Sequence, residues 1–110
     1  MLIYKILLPA EWAAFEAAGE FAGSEFDRAD GFVHCSTRAQ APATAARFFA
    51  GVPELVLVAL DDAKLDSEVR WEEASAGLFP HVYGPLTAGA ITAVHRVAGA
   101  SDVDAALPPD

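Results

Sequence analysis

The sequence predicts a mixed α+β domain, and three observations carry that reading. Short apolar runs, too brief for helices, are stopped by proline, glycine or aspartate; two stretches at helical spacing each begin beside a proline; and strands dominate after the second of them. The order is strand, helix, loop, strand, helix and then mostly strands, without the regular βαβ alternation of a doubly wound sheet.

Residues 2–8, LIYKILL, read as a buried first strand ended by Pro9. Pro9 suits the first turn of a helix, and Trp12, Phe15 and Ala18 recur at helical spacing through AEWAAFEAAGE. Residues 21–31 mix aromatics with turn formers and read as a loop or short edge strand closing at Asp30-Gly31. FVHCS, residues 32–36, is a strand. Thr37 and Gln40 match a capping box, and Pro42, lacking an amide hydrogen, separates that turn from a helix over 43–51 ending at Gly51.

ELVLVALD, residues 54–61, is the clearest strand; VRWEEA at 69–74 is another, with Trp71 directed to the core. SAGLFP then reads as a loop before the short extended HVYGP, and residues 90–97, AITAVHRV, form the last strand. One domain over 1–99 and a frayed, flexible tail over 100–110 complete the organisation.

Sixteen acidic against seven basic residues give a formal charge of -9, and the cations are scattered. Such a surface repels nucleic-acid phosphate and anionic lipid, so a small-molecule partner is expected, with neither nucleic acid nor membrane. A single cysteine excludes an intramolecular disulfide and a multi-cysteine zinc site, which suits the cytoplasm. No secretory signal pattern and no apolar run of membrane-spanning length occur in the sequence.

Alternation along 32–36 places His34 and Ser36 on one face and Cys35 on the other, which removes a Cys–His nucleophilic pair. Cys35 reads as an ordinary buried residue and His95 as structural. Ser36 and Thr37 either cap a turn or, with free amides at a helix mouth, hold an anionic group such as a pyrophosphate, with His34 beside it. Arg70 and Glu72 share a face of their strand, as a surface ion pair or as a phosphate clamp with a carboxylate that orients a hydroxyl or steadies a developing cation. His81 and Tyr83 share a face of PHVYG and could stack on a planar ring. No His-x-x-x-His spacing, dinucleotide fingerprint or Walker loop is present, so no metal is expected.

Taken together, IYKI, DGFVHCST, RFFAG, LVLVALD, RWE and FPHVYGPL, in this order, resemble the bacterial family catalogued as domain of unknown function 952, over about residues 2–97. The family looks like a compact version of the ADP-ribosyltransferase fold, a split mixed sheet with two main helices that binds nicotinamide adenine dinucleotide (NAD) in a central cleft. The resemblance implies that His34, with Ser36 and Thr37, contacts the adenosine ribose and that Tyr83, with His81 nearby, stacks on nicotinamide. Arg70 would then hold phosphate. Transferases of this kind carry a late glutamate; none follows Glu73 here, so Glu72 would take that catalytic part beside His34. The implied function is binding of an NAD-like nucleotide with ADP-ribosyl transfer or glycohydrolase chemistry. The alternatives are a non-catalytic module for a phosphorylated metabolite, or a structural or interaction domain.

Overall fold

A computed structural model describes residues 1–74 and 77–110. Its strands are β1 (Leu2–Leu7), β2 (Glu20–Phe21), β3 (Val33–His34), β4 (Leu55–Asp61), β5 (Glu68–Ala74), β6 (Gly77–Tyr83), β7 (Leu86–Thr87) and β8 (Ile91–Val97). The helices are α1 (Pro9–Ala18), α2 (Glu25–Asp30), α3 (Ala41–Phe48) and α4 (Val103–Ala106). The strands form sheets ordered β1-β4-β8, β3-β6-β5 and β2-β7, with antiparallel pairing throughout. Tyr4 and Ser36 exchange backbone hydrogen bonds of 2.7 and 2.9 Å and so join the two larger sheets.

β4 is central because both of its faces are covered, which is why its sequence is a continuous apolar run. Val56, Val58 and Leu60 pack with Ile3, Trp12 and Phe15 on one side. Leu55, Leu57 and Ala59 pack with Tyr4, Ala45 and Val97 on the other. α1 begins with Pro9, and the Leu8 amide donates to Glu11 Oε1 at 2.8 Å. It ends at Gly19, whose φ of 78° is a conformation that glycine adopts without a Cβ penalty.

Five local expectations are corrected. Residues 21–31 hold the last residue of β2 and also a helix, α2, because Ser24 Oγ accepts from the Asp27 amide while Asp27 Oδ2 accepts from the Ser24 amide. The turn expected at Asp30-Gly31 is this helix's left-handed C-terminus. The second main helix starts at Ala41 and stops at Phe48, before Gly51, which sits in the following turn. β6 runs from Gly77 rather than His81, since it pairs with β5 from Ala74↔Gly77 to Glu68↔Tyr83. Within the loop expected at 75–80, Ser75 and Ala76 lie outside the described residues. Trp71 is 37 % exposed and not in the core, because β5 is an edge strand.

The segment expected to fray is packed as far as Leu107. Val103 and Leu107 are buried in the core beside α3 and β8, and Arg38 fastens the backbone beyond them. Its Nε donates to the Pro108 carbonyl at 2.8 Å, and its Nη2 to the carbonyls of Asp104 and Leu107 at 2.8 and 3.1 Å. The accompanying ion pair with the exposed Asp104 carboxylate adds little. Arg38→Ala is therefore expected to cost about 1.5–3 kcal/mol, the range for charge-assisted hydrogen bonds. Hydrogen exchange should quicken selectively at the amides of α4; uniform exchange along the chain would contradict this reading.

Candidate functional site

His34, His81 and Arg70 are direct cross-strand partners on β3, β6 and β5, so their side chains share one face of that sheet. The neighbouring Val33, Val82 and Val69 turn the other way into the core. Three segments far apart in sequence thereby meet at one surface. In front of it lies a cleft of about 700 Å³, walled by α2 and α3 and backed by β1, β3 and β6. Phe26, His34, Gln40, Thr44, Phe48 and His81 line it.

A buried ion pair organises its floor. Lys5 Nζ lies 2.9 Å from Asp27 Oδ2 and 3.1 Å from Oδ1, and also donates to the His34 carbonyl at 2.8 Å. Burial by itself would raise the Asp27 carboxyl. The hydrogen bond from His34, the charge of Lys5 and the backbone amides of Ser24 and His34 outweigh it and hold the group well below its ordinary value. His34 Nδ1 is 2.6 Å from Asp27 Oδ1, and Nε2 is 2.8 Å from Asp30 Oδ2. A doubly protonated ring makes both bonds, whereas either neutral tautomer makes only one. Phe26 stacks on this ring at 4.7 Å.

His81 has a different environment. Its Nδ1 lies 2.8 Å from Glu72 Oε1, which also accepts the Tyr83 hydroxyl at 2.6 Å. Those two hydrogen bonds, that of Tyr83 first, lower the Glu72 pKa, and the same contact raises that of Tyr83. Phe32 stacks on His81 at 4.0 Å, and the rings of His34 and His81 meet edge to face at 5.5 Å. The Arg70 guanidinium lies 4.2 Å from the Tyr83 ring centroid and bonds Glu68 at 3.0 Å.

The residues expected from sequence therefore divide. His34, Ser36 and His81 line the cleft; Thr37, Arg70, Glu72 and Tyr83 do not. Ser36 is buried, and its hydroxyl donates to Thr44 at 3.2 Å. Thr37 is used by the turn: its Oγ1 accepts from the Gln40 amide at 3.2 Å, and Gln40 Oε1 accepts from the Thr37 amide at 3.0 Å. That is the capping box, and it corrects the placement of Thr37 beside a ligand. Arg70, bonded to Glu68 on its own strand and lying over the Tyr83 ring on β6, is not aimed into the cleft as a phosphate clamp. Cys35 lies in the core, where burial pushes its thiol up to about 12, the opposite of an activated nucleophile. His95 Nε2 is buried without a hydrogen-bond partner among the described residues and stands on β8, in the β1-β4-β8 sheet. Among the described residues no group of three or more His, Cys, Asp or Glu is arranged to hold a metal ion. No helix among them is long and apolar enough to cross a membrane.

The sequence reading missed Lys5, Phe26, Asp27 and Phe48. Two signals were present. Lys5 is the lone charge in an otherwise apolar strand and needed a buried partner. Ser24-x-x-Asp27 is a capping-box pattern that marks both a helix start and the acid which supplies that partner.

These features define a small α+β domain of antiparallel sheets with a histidine-lined cleft. The chain belongs to the family described as protein of unknown function (DUF952), which matches residues 6–94. It is similar to protein CC0527 from Caulobacter crescentus, whose X-ray structure is 45 % identical with a TM-score of 0.80, covering 86 % of this chain and 83 % of that one. The solution NMR structure of CC0527 is 47 % identical with a TM-score of 0.73, covering 84 % and 81 %. No curated protein matches the chain.

Proposed function

We propose that the cleft binds a nucleotide of the NAD type, within an ADP-ribosyltransferase-like fold, and that cleavage at or transfer from its glycosidic bond takes place there. The observation that carries this reading is the register His34↔His81, which sets two sequence-marked segments side by side on the cleft wall, with Arg70 opposite His81 on the same sheet face but outside the cleft lining. Its volume of about 700 Å³ is within the range of nucleotide-sized pockets. Phe26 and Phe48, ring centroids 6.1 Å apart and more than half exposed, offer flat apolar surfaces at its edge. The hydroxyls of Ser36 and Thr44 provide hydrogen-bonding groups for ribose or phosphate. The single buried cysteine is compatible with a cytoplasmic setting.

Two observations favour a second reading, a binding module without chemistry: both ring nitrogens of His34 already face carboxylates, and no glutamate follows Glu73. Calorimetric titration with NAD, followed by assay for released nicotinamide, separates the two. Binding is expected, and Phe48→Ala should weaken it about tenfold, since stacking one base on an aromatic ring contributes about 1–3 kcal/mol. Binding without release selects the module. No heat at millimolar NAD removes the nucleotide reading.

A further inference from the structure

The three histidines of this chain occupy three different chemical settings. His34 has a carboxylate at each ring nitrogen. His95 has a buried Nε2 without a hydrogen-bond partner among the described residues. In His81 a carboxylate holds Nδ1, while Nε2 has no hydrogen-bond partner among the described residues and the ring stands on the cleft wall.

We infer that His81 is the general base of the cleft, with Glu72 and Tyr83 as the residues that position it, acting on a water molecule or a ligand hydroxyl placed there. Glu72 Oε1 accepts from both the Tyr83 hydroxyl and Nδ1–H, so the ring proton is kept on Nδ1 and the Nε2 lone pair is left available. Phe32, stacked at 4.0 Å, restricts rotation of the ring. Arg70 over the Tyr83 ring steadies the far end of the relay.

This assignment rests on the proposed nucleotide cleft and gives Glu72 a different part from that of a catalytic carboxylate. Glu72 does not line the cleft; it acts through His81. In the step itself, Nε2 takes a proton from water as the water oxygen bonds to an electrophilic carbon of the ligand. The leaving group departs with the pair of the breaking bond. The imidazolium, opposite the Glu72 carboxylate, then gives the proton to the leaving group or to solvent. Water is the only co-reactant.

Ring nitrogen shifts measured by ¹⁵N NMR on the wild-type protein should show His81 as the Nδ1–H tautomer. Glu72→Ala should move it toward Nε2–H, and Glu72→Gln, which keeps an acceptor oxygen, should restore Nδ1–H. Diethyl pyrocarbonate, mapped by mass spectrometry, should acylate His81 before His34 and His95. An Nε2–H tautomer in the wild type, or acylation of His81 no faster than of His34, overturns the assignment whether or not NAD binds. Where NAD is cleaved, His81→Gln should slow nicotinamide release at least about a hundredfold with KM nearly unchanged. Release unaffected by that substitution overturns the assignment while leaving the nucleotide reading intact, and absence of NAD binding removes only the latter.

Discussion

Asp27→Ala is expected to remove about 3–5 kcal/mol of folding stability, the loss typical of a buried ion pair deprived of one partner. Lys5 and Asp27 are both buried, so the remaining ammonium would have no water to replace the carboxylate. The same substitution removes the carboxylate half of the capping box of α2 and the acceptor for both the amide and Nδ1 of His34. One carboxylate thus joins β1, α2 and β3. The variant Lys5→Met with Asp27→Leu should recover much of the loss, because a well-packed apolar pair leaves no uncompensated charge. Urea unfolding of the three proteins measures both effects; an Asp27→Ala variant within about 1 kcal/mol of wild type would show that the pair is not held as described.

The pH dependence has a definite sign. Asp27 is shifted below its ordinary value of 3.8 in the folded chain, so its contribution is fully present above that value and is lost as pH falls through the folded value. Wild-type stability should decline below about pH 4 more steeply than that of the double variant, which lacks this carboxyl.

Phe15→Ala is expected to cost a comparable amount, about 3–5 kcal/mol, by a different physical route. Phe15 is fully buried, edge to face with Trp12 at 5.6 Å and stacked on Phe21 at 5.9 Å. Its removal leaves a cavity between α1 and the sheet without disturbing a polar group. The two substitutions should therefore separate in their effects on the cleft. Asp27→Ala should alter the ring nitrogen shifts of His34, whereas Phe15→Ala should lower the melting temperature with those shifts unchanged. Equal disturbance of the His34 ring by both would mean that α1 and the site are mechanically coupled.

The elements that were legible in the sequence are those whose pattern is local. LVLVALD has to be a strand, and Pro9 opens α1 because it lacks an amide hydrogen, which the first turn of a helix does not use. Alternation alone separated His34 from Cys35. The elements that were not legible depend on partners distant in the chain. Leu78 and Phe79 extend β6 only because Glu72 and Glu73 lie opposite them. The 100–107 segment is acidic and small-residued, yet Arg38, more than sixty positions earlier, holds its carbonyls.

For the site, the sequence by itself marked the candidates for chemistry: His34, Ser36, Thr37, Arg70, Glu72, His81 and Tyr83. Spacing within each strand also determined which of them share a face, since the pleat repeats every second residue. Only the tertiary structure decided which side chains are committed to one another. Register set His34 against His81, folding placed Asp27 between Lys5 and His34, and Tyr83 joined His81 on the Glu72 carboxylate. The physical reason is range. Side-chain alternation is a property of neighbouring peptide units, whereas a hydrogen bond of about 2.8 Å depends on where strands distant in sequence come to lie.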